Sequence, residues 1–134
     1  MNLRLPLTVL SCAFILLTSG CGRSKVTQCN ALIEKINASA EETKKTPEPK
    51  DDATAKAYAE VMIKGAASVK TAEVEDPKLV ELRDGYAKSV GDVGAALKAV
   101  AEAPGEPKAE DLEKSKAAQA SFEKIVDGIQ TYCK

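Results

Sequence analysis

Hydrophobic positions along the chain recur at threes and fours, the period of an amphipathic helix, and no stretch alternates at twos as a half-buried strand would. The first stripe, Val26, Cys29, Ile33, Ile36 and Ala40, predicts a helix from about Ser24 to Thr43. It stops before Thr46-Pro47-Glu48-Pro49, because proline turns the residue before it away from the helical conformation. A second helix starts at Asp51 or Asp52, either an acceptable N-cap, and carries Ala55, Tyr58, Met62, Ala66 and Val69 to about Ala72. The third has the clearest start, Asp76-Pro77, a cap followed by proline at the first helical position. Its seam runs Leu79, Leu82, Tyr86, Val90, Val93, Leu97, Val100 and ends at Ala103-Pro104-Gly105. The fourth begins near Pro107 and bears Leu112, Ser115, Ala118, Phe122, Ile125, Ile129 and Tyr132.

Connections this short make successive helices antiparallel neighbours, so the expected fold is all-α, an antiparallel up-down-up-down four-helix bundle. Alanine-rich faces let helices approach closely while burying little area each. Gly85, Gly91 and Gly94 lie inside the third helix, where each costs about 1 kcal/mol relative to alanine, and close packing is the expected reason. Gly91-Asp92-Val93-Gly94 has the letters of a nucleic-acid-clamping loop, but the strands and basic residues that such a module needs are missing.

The segment before these helices has a different character. Met1-Asn2-Leu3-Arg4 leads into an apolar run from Leu5 to Leu17 and then Thr18-Ser19-Gly20-Cys21, which reads as the charged, apolar and cleavage regions of a secretory signal. The run is short for a membrane span, which needs about 20 apolar residues. Leu17-Thr18-Ser19-Gly20-Cys21 resembles a lipobox, the cleavage signature of bacterial lipoproteins, with Thr18 where leucine is commonest. Small side chains at Ser19 and Gly20 let a peptidase reach the bond, and only a thiol accepts the diacylglyceryl group. Cys12 is a poorer acceptor because little apolar sequence precedes it.

The resemblance implies residues 1–20 as a removed signal, 21–25 as a lipidated short tether and 26–134 as the helical body. It further implies that Cys21 is acylated and that the lipid bilayer is a partner. With a second chain on the new amino terminus, anchoring is stable, at about 0.8 kcal/mol per buried CH₂. Gly22 after the cysteine, in place of Asp, resembles the pattern that sends lipoproteins to the outer membrane of a two-membrane bacterium, facing the periplasm.

Once Cys21 carries lipid and Cys12 leaves with the signal, Cys29 and Cys133 remain in a compartment that permits disulfides. In an up-down-up-down bundle the start of the first helix and the end of the fourth lie at one end, where these cysteines can meet. The bond would close a loop of about 100 residues, for which chain entropy gives up to about 4.7 kcal/mol. The competing reading, a redox or metal pair, lacks both a Cys-x-x-Cys and any histidine.

Charge and composition exclude more than they assign. Nineteen basic residues face twenty acidic ones, and removal of Arg4 shifts that balance by one, so no basic stripe calls for nucleic acid. The absence of histidine rules out Ser-His-Asp and Cys-His nucleophile pairs and histidine ligands for zinc or haem. Carboxylates such as Glu41, Glu42, Glu73, Glu75, Asp76, Glu110, Asp111 and Glu113 fall in turns and first helical turns, where acids cap and complement the helix dipole. The expectation is a non-enzymatic interaction or structural module of the envelope, without cofactor or metal, that meets an envelope protein or the cell wall. The alternative is a carrier of a small apolar ligand in the bundle core. A tether of about 15 Å keeps one end of helices about 30 Å long near the bilayer. The proline-rich connections bearing Pro47, Pro49, Pro104 and Pro107 are then the candidate partner-facing loops at the far end, although prolines also simply stop helices.

Overall fold

Local signals set the starts of the first three helices in the computed structural model, which describes residues 22–103 and 109–134. Helix α1, Lys25–Lys45, is capped by Ser24, whose hydroxyl accepts from the Thr27 amide at 3.2 Å. Helix α2, Asp52–Lys70, opens on a capping box: Asp51 accepts from the Thr54 amide while the Thr54 hydroxyl oxygen accepts from the Asp51 amide. Helix α3, Pro77–Glu102, starts at the expected Asp76-Pro77, with Asp76 accepting from the Lys78 and Leu79 amides. Helix α4, Ala109–Tyr132, runs nearly to the C-terminus. The signal segment, Cys21, Pro104 and Pro107 lie outside the described residues.

The described residues are all-helical, and their four helices pack together with a Cys29–Cys133 disulfide. α2 packs on α1 and α3, and α4 packs on α3. Close approaches mark the seams. A Cβ placed on Gly94 in α3 would stand 3.1 Å from the Ala59 carbonyl oxygen of α2, and one on Gly65 of α2 would collide with the Ser39 hydroxyl of α1. At Gly91 the same test meets only Ala66 Cβ at 3.7 Å, an ordinary contact, so close packing accounts for Gly94 and not for Gly91.

Burial is uneven along the helices. Leu32, Val69 and Leu79 are fully enclosed, and with Cys29, Val74, Leu82, Tyr86 and Ile129 they form a core weighted towards the disulfide. Further along the α3 seam, Val93, Leu97 and Val100 are only half-buried. The face of α1 differs from the expected stripe: Val26 is 68% exposed and Ile33 36%, while Gln28, Cys29, Leu32 and Ser39 are buried. The buried set keeps the three-four cadence but turns partway round the helix. The cause is Gln28, drawn inside because its amide satisfies backbone groups of the α2–α3 turn.

Candidate functional site

Gln28 is the centre of a stitched end. Its side-chain carbonyl accepts from the amides of Glu75 at 2.6 Å and Asp76 at 2.8 Å, and its amino group donates to the Arg23 carbonyl at 2.7 Å. Arg23 pairs with the Glu73 carboxylate and donates to the Glu73 carbonyl at 3.3 Å. The segment before α1 is therefore folded onto the α2–α3 turn. On the other side, the Tyr132 hydroxyl donates to the Asp76 carboxylate at 3.0 and 3.2 Å, and Lys25 lies 3.9 Å above the Tyr132 ring. The Leu79 amide bond to Asp76, only partly opposed by desolvation and helped by Tyr132, holds that carboxyl below its usual range. Its own hydrogen bond to the Asp76 carboxylate pushes the Tyr132 hydroxyl up.

The two cysteines meet at this end, with Cα atoms 5.7 Å apart across a sequence separation of 104, inside the range a disulfide requires. Cys29 is buried and Cys133 half-buried. Pro47 and Pro49 are exposed in the connection between α1 and α2. The first turns of α2 and the end of α3 are joined by the Lys56–Glu102 ion pair at 3.6 Å. Among the described residues there is no cluster of three or more His, Cys, Asp or Glu that would hold a metal ion. No helix among them is long and apolar enough to cross a membrane.

The helix spacing gave no sign of the third feature. Among the described residues, α1 and α4 share no packed seam along their lengths and are joined at the disulfide and its neighbours. Beyond that junction a slot opens between them, floored by α3. Nearest the disulfide lies a recess of about 260 Å³ walled by Ile36 and Val126. Tyr86 lines both this recess and the next, a crevice of about 430 Å³ bounded by Ala40, Met62, Val90, Val93 and Phe122. Met62, Val93 and Ser115 are shared with a further recess of about 420 Å³ that reaches Val100. Tyr86 is buried with its ring tilted against Phe122 at 5.4 Å between centroids, and burial pushes its hydroxyl pKa up. Polar groups stand at the rim: Thr43 and Lys44 on α1, Ser115 and Gln119 on α4. Volumes in this range are ordinary for small-molecule sites, which are lined mainly by apolar side chains with a few polar ones.

No protein-family model matches the chain, and neither a curated protein nor a solved structure is similar to it.

Proposed function

We propose that the chain is a lipid-anchored envelope module that works by binding and not by catalysis, held to a bilayer through acylated Cys21. The observation that carries this reading is the stitched end. With Arg23, Ser24 and Gln28 bonded into the fold, Gly22 alone separates Cys21 from fixed structure, so the lipid would sit beside the disulfide and the opposite end would face away from the membrane. The finer topology belongs to the same proposal. An up-down-up-down order is supported by the pairings Ser39 with Gly65, Ala59 with Gly94, Leu82 with Gly128 and Cys29 with Cys133. Under it the connections carrying Pro47, Pro49, Pro104 and Pro107 gather at the far end as the partner-facing surface, where preset proline backbones lower the entropy lost on binding. The partner is an envelope protein or the cell wall.

Two measurements test this. Mass spectrometry of the mature N-terminus should find diacylglyceryl on Cys21, and Cys21→Ser should release the protein from membranes; an unmodified Cys21 or full retention would overturn the anchor. Photo-crosslinkers at Pro47 and Pro49 should capture an envelope partner that crosslinkers on the exposed face of α2 do not.

A second reading, a carrier of a small apolar ligand, is favoured by the slot between α1 and α4. An uncharged fluorescent probe such as N-phenylnaphthylamine should bind the purified lipoprotein, with the signal lost on Ala40→Trp, which fills the crevice. Unchanged binding in that variant counts against the slot as the site.

A further inference from the structure

We propose that the slot between α1 and α4 takes one long-chain monocarboxylate, entered tail first towards the disulfide; this rests on the ligand-carrier reading above. The shape is the first argument. Cys29 and Cys133 bring the chain together at one end, with Cα atoms 5.7 Å apart, whereas no Cα of α1 comes within 8 Å of one in α4 along the described helices, so the slot narrows towards the disulfide. A partner helix is about 10–12 Å across with its side chains and cannot follow that taper. A single unbranched hydrocarbon chain can.

Length agrees. Ile33 and Lys44 line the two limits of the slot on α1, and eleven helical residues advance about 16 Å. That is close to the roughly 15 Å that an acyl chain covers in one leaflet of a 30 Å hydrocarbon core. Along that path the floor and walls are Tyr86, Val90, Phe122, Ile36 and Val126, with no charged group facing inward until the rim.

Charge sets the direction. Lys44 and Gln119 flank the crevice on opposite walls, one a cation and the other an amide donor, which suits a carboxylate head. Lys44 is exposed and shared with Glu41 at 3.2 Å, an exposed pair that contributes little by itself and leaves the ammonium free to turn to a ligand. Asp111 lines the recess towards Val100 and repels an anion from it, so the head stays at Lys44 and the tail runs the other way.

The test uses the mature lipoprotein in nanodiscs with a saturated sixteen-carbon fatty acid carrying a diazirine near its methyl end. Peptide mapping should place the label around Ile36, Tyr86 and Val126, with excess unlabelled fatty acid competing and a zwitterionic lysophospholipid competing poorly. Lys44→Glu should weaken labelling about five-fold, the scale of one exposed charge interaction. Ala40→Trp should abolish it, with far-UV circular dichroism and the disulfide unchanged. Label confined to the outer surface, or labelling that survives Ala40→Trp, overturns the site. Equal competition by the lysophospholipid, or no effect of Lys44→Glu, overturns the carboxylate. Binding of N-phenylnaphthylamine without any fatty-acid labelling sinks this inference and leaves the carrier reading standing.

Discussion

Gly91 and Gly94 offer an internally controlled test of the α2–α3 seam. Both lie inside α3, three residues apart, so replacing either by alanine brings the same gain of about 1 kcal/mol in helix propensity. They differ in what the new methyl meets. At position 91 the nearest atom is Ala66 Cβ at 3.7 Å, and the methyl fits. At position 94 it would stand 3.0 Å from Ile63 Cγ1, 3.1 Å from the Ala59 carbonyl oxygen and 3.2 Å from Met62 Cβ. The Ala59 carbonyl is helix backbone and cannot swing aside, so α2 and α3 must separate, at the about 1–3 kcal/mol typical of overpacking. Gly91→Ala should therefore stabilise by about 1 kcal/mol, raising the thermal midpoint by roughly 4–8 °C. Gly94→Ala should destabilise by about 1 kcal/mol once its helix gain is subtracted. Urea titrations followed by far-UV circular dichroism, disulfide intact, give the difference directly. If Gly94→Ala is as stable as Gly91→Ala, the close approach at Ala59 is not what requires a glycine there.

Three further outcomes follow from the stitched end and the caps. Gln28→Leu leaves the Glu75 and Asp76 amides without their acceptor and should cost about 1–3 kcal/mol, read by urea titration, with Arg23 more exposed to limited trypsin cleavage. Replacing Cys29 and Cys133 together by serine should lower stability by up to about 4.7 kcal/mol, the chain-entropy figure for a loop near 100 residues; a loss near zero would mean that packing alone holds α1 against the body. For acid pH, the folded fold lowers the Asp76 pKa below its ordinary 3.8, so the carboxylate's contribution is complete above that value and disappears as pH falls through the lowered one. Thermal midpoints measured from neutral to acid pH should fall less steeply in Asp76→Asn than in the natural chain.

The caps were legible because they act within a few residues. Asp76-Pro77 marked the start of α3; for α2 the residues allow Asp51 or Asp52, of which Asp51 is the cap, with Thr54 closing a box that the spacing does not point to. The face of α1 was legible only in cadence. Val26 and Ile33 fit the spacing as well as Leu32 does, and the choice between faces is made by Gln28 bonding to amides 47 and 48 residues away. Nothing local encodes that partner. The cysteine pairing was legible because elimination left one solution. The slot was not, since Val93, Leu97 and Val100 repeat at the same intervals as the buried Leu79, Leu82, Tyr86 and Val90. Periodicity tells which side of a helix is apolar, and it is silent on whether a neighbour arrives to cover it.

That silence bears on why the bond sits where it does. Leu32, Leu79 and Val69 are already fully enclosed near the Cys29–Cys133 junction, so the disulfide joins α1 to α4 at the best-packed end and leaves the sparsely covered end untied. A bond placed for greatest rigidity would instead span the open part of the slot. α1 stays packed on α2, closely so at Ser39 and Gly65, and among the described residues it meets α4 only at the disulfide end, so widening the slot loses little area buried between α1 and α4. Local opening is cheapest where apolar contacts are fewest, and here that place is the slot itself. The arrangement leaves one well-packed end, joined by the disulfide, and a less covered cleft beyond it. The two proposals are thereby coupled: tying the open end with a bismaleimide across Thr43→Cys and Gln119→Cys, a longer link than a disulfide because no Cα of α1 comes within 8 Å of one in α4 among the described residues, should raise stability while reducing fatty-acid labelling, and an increase in both would break the link between opening and binding.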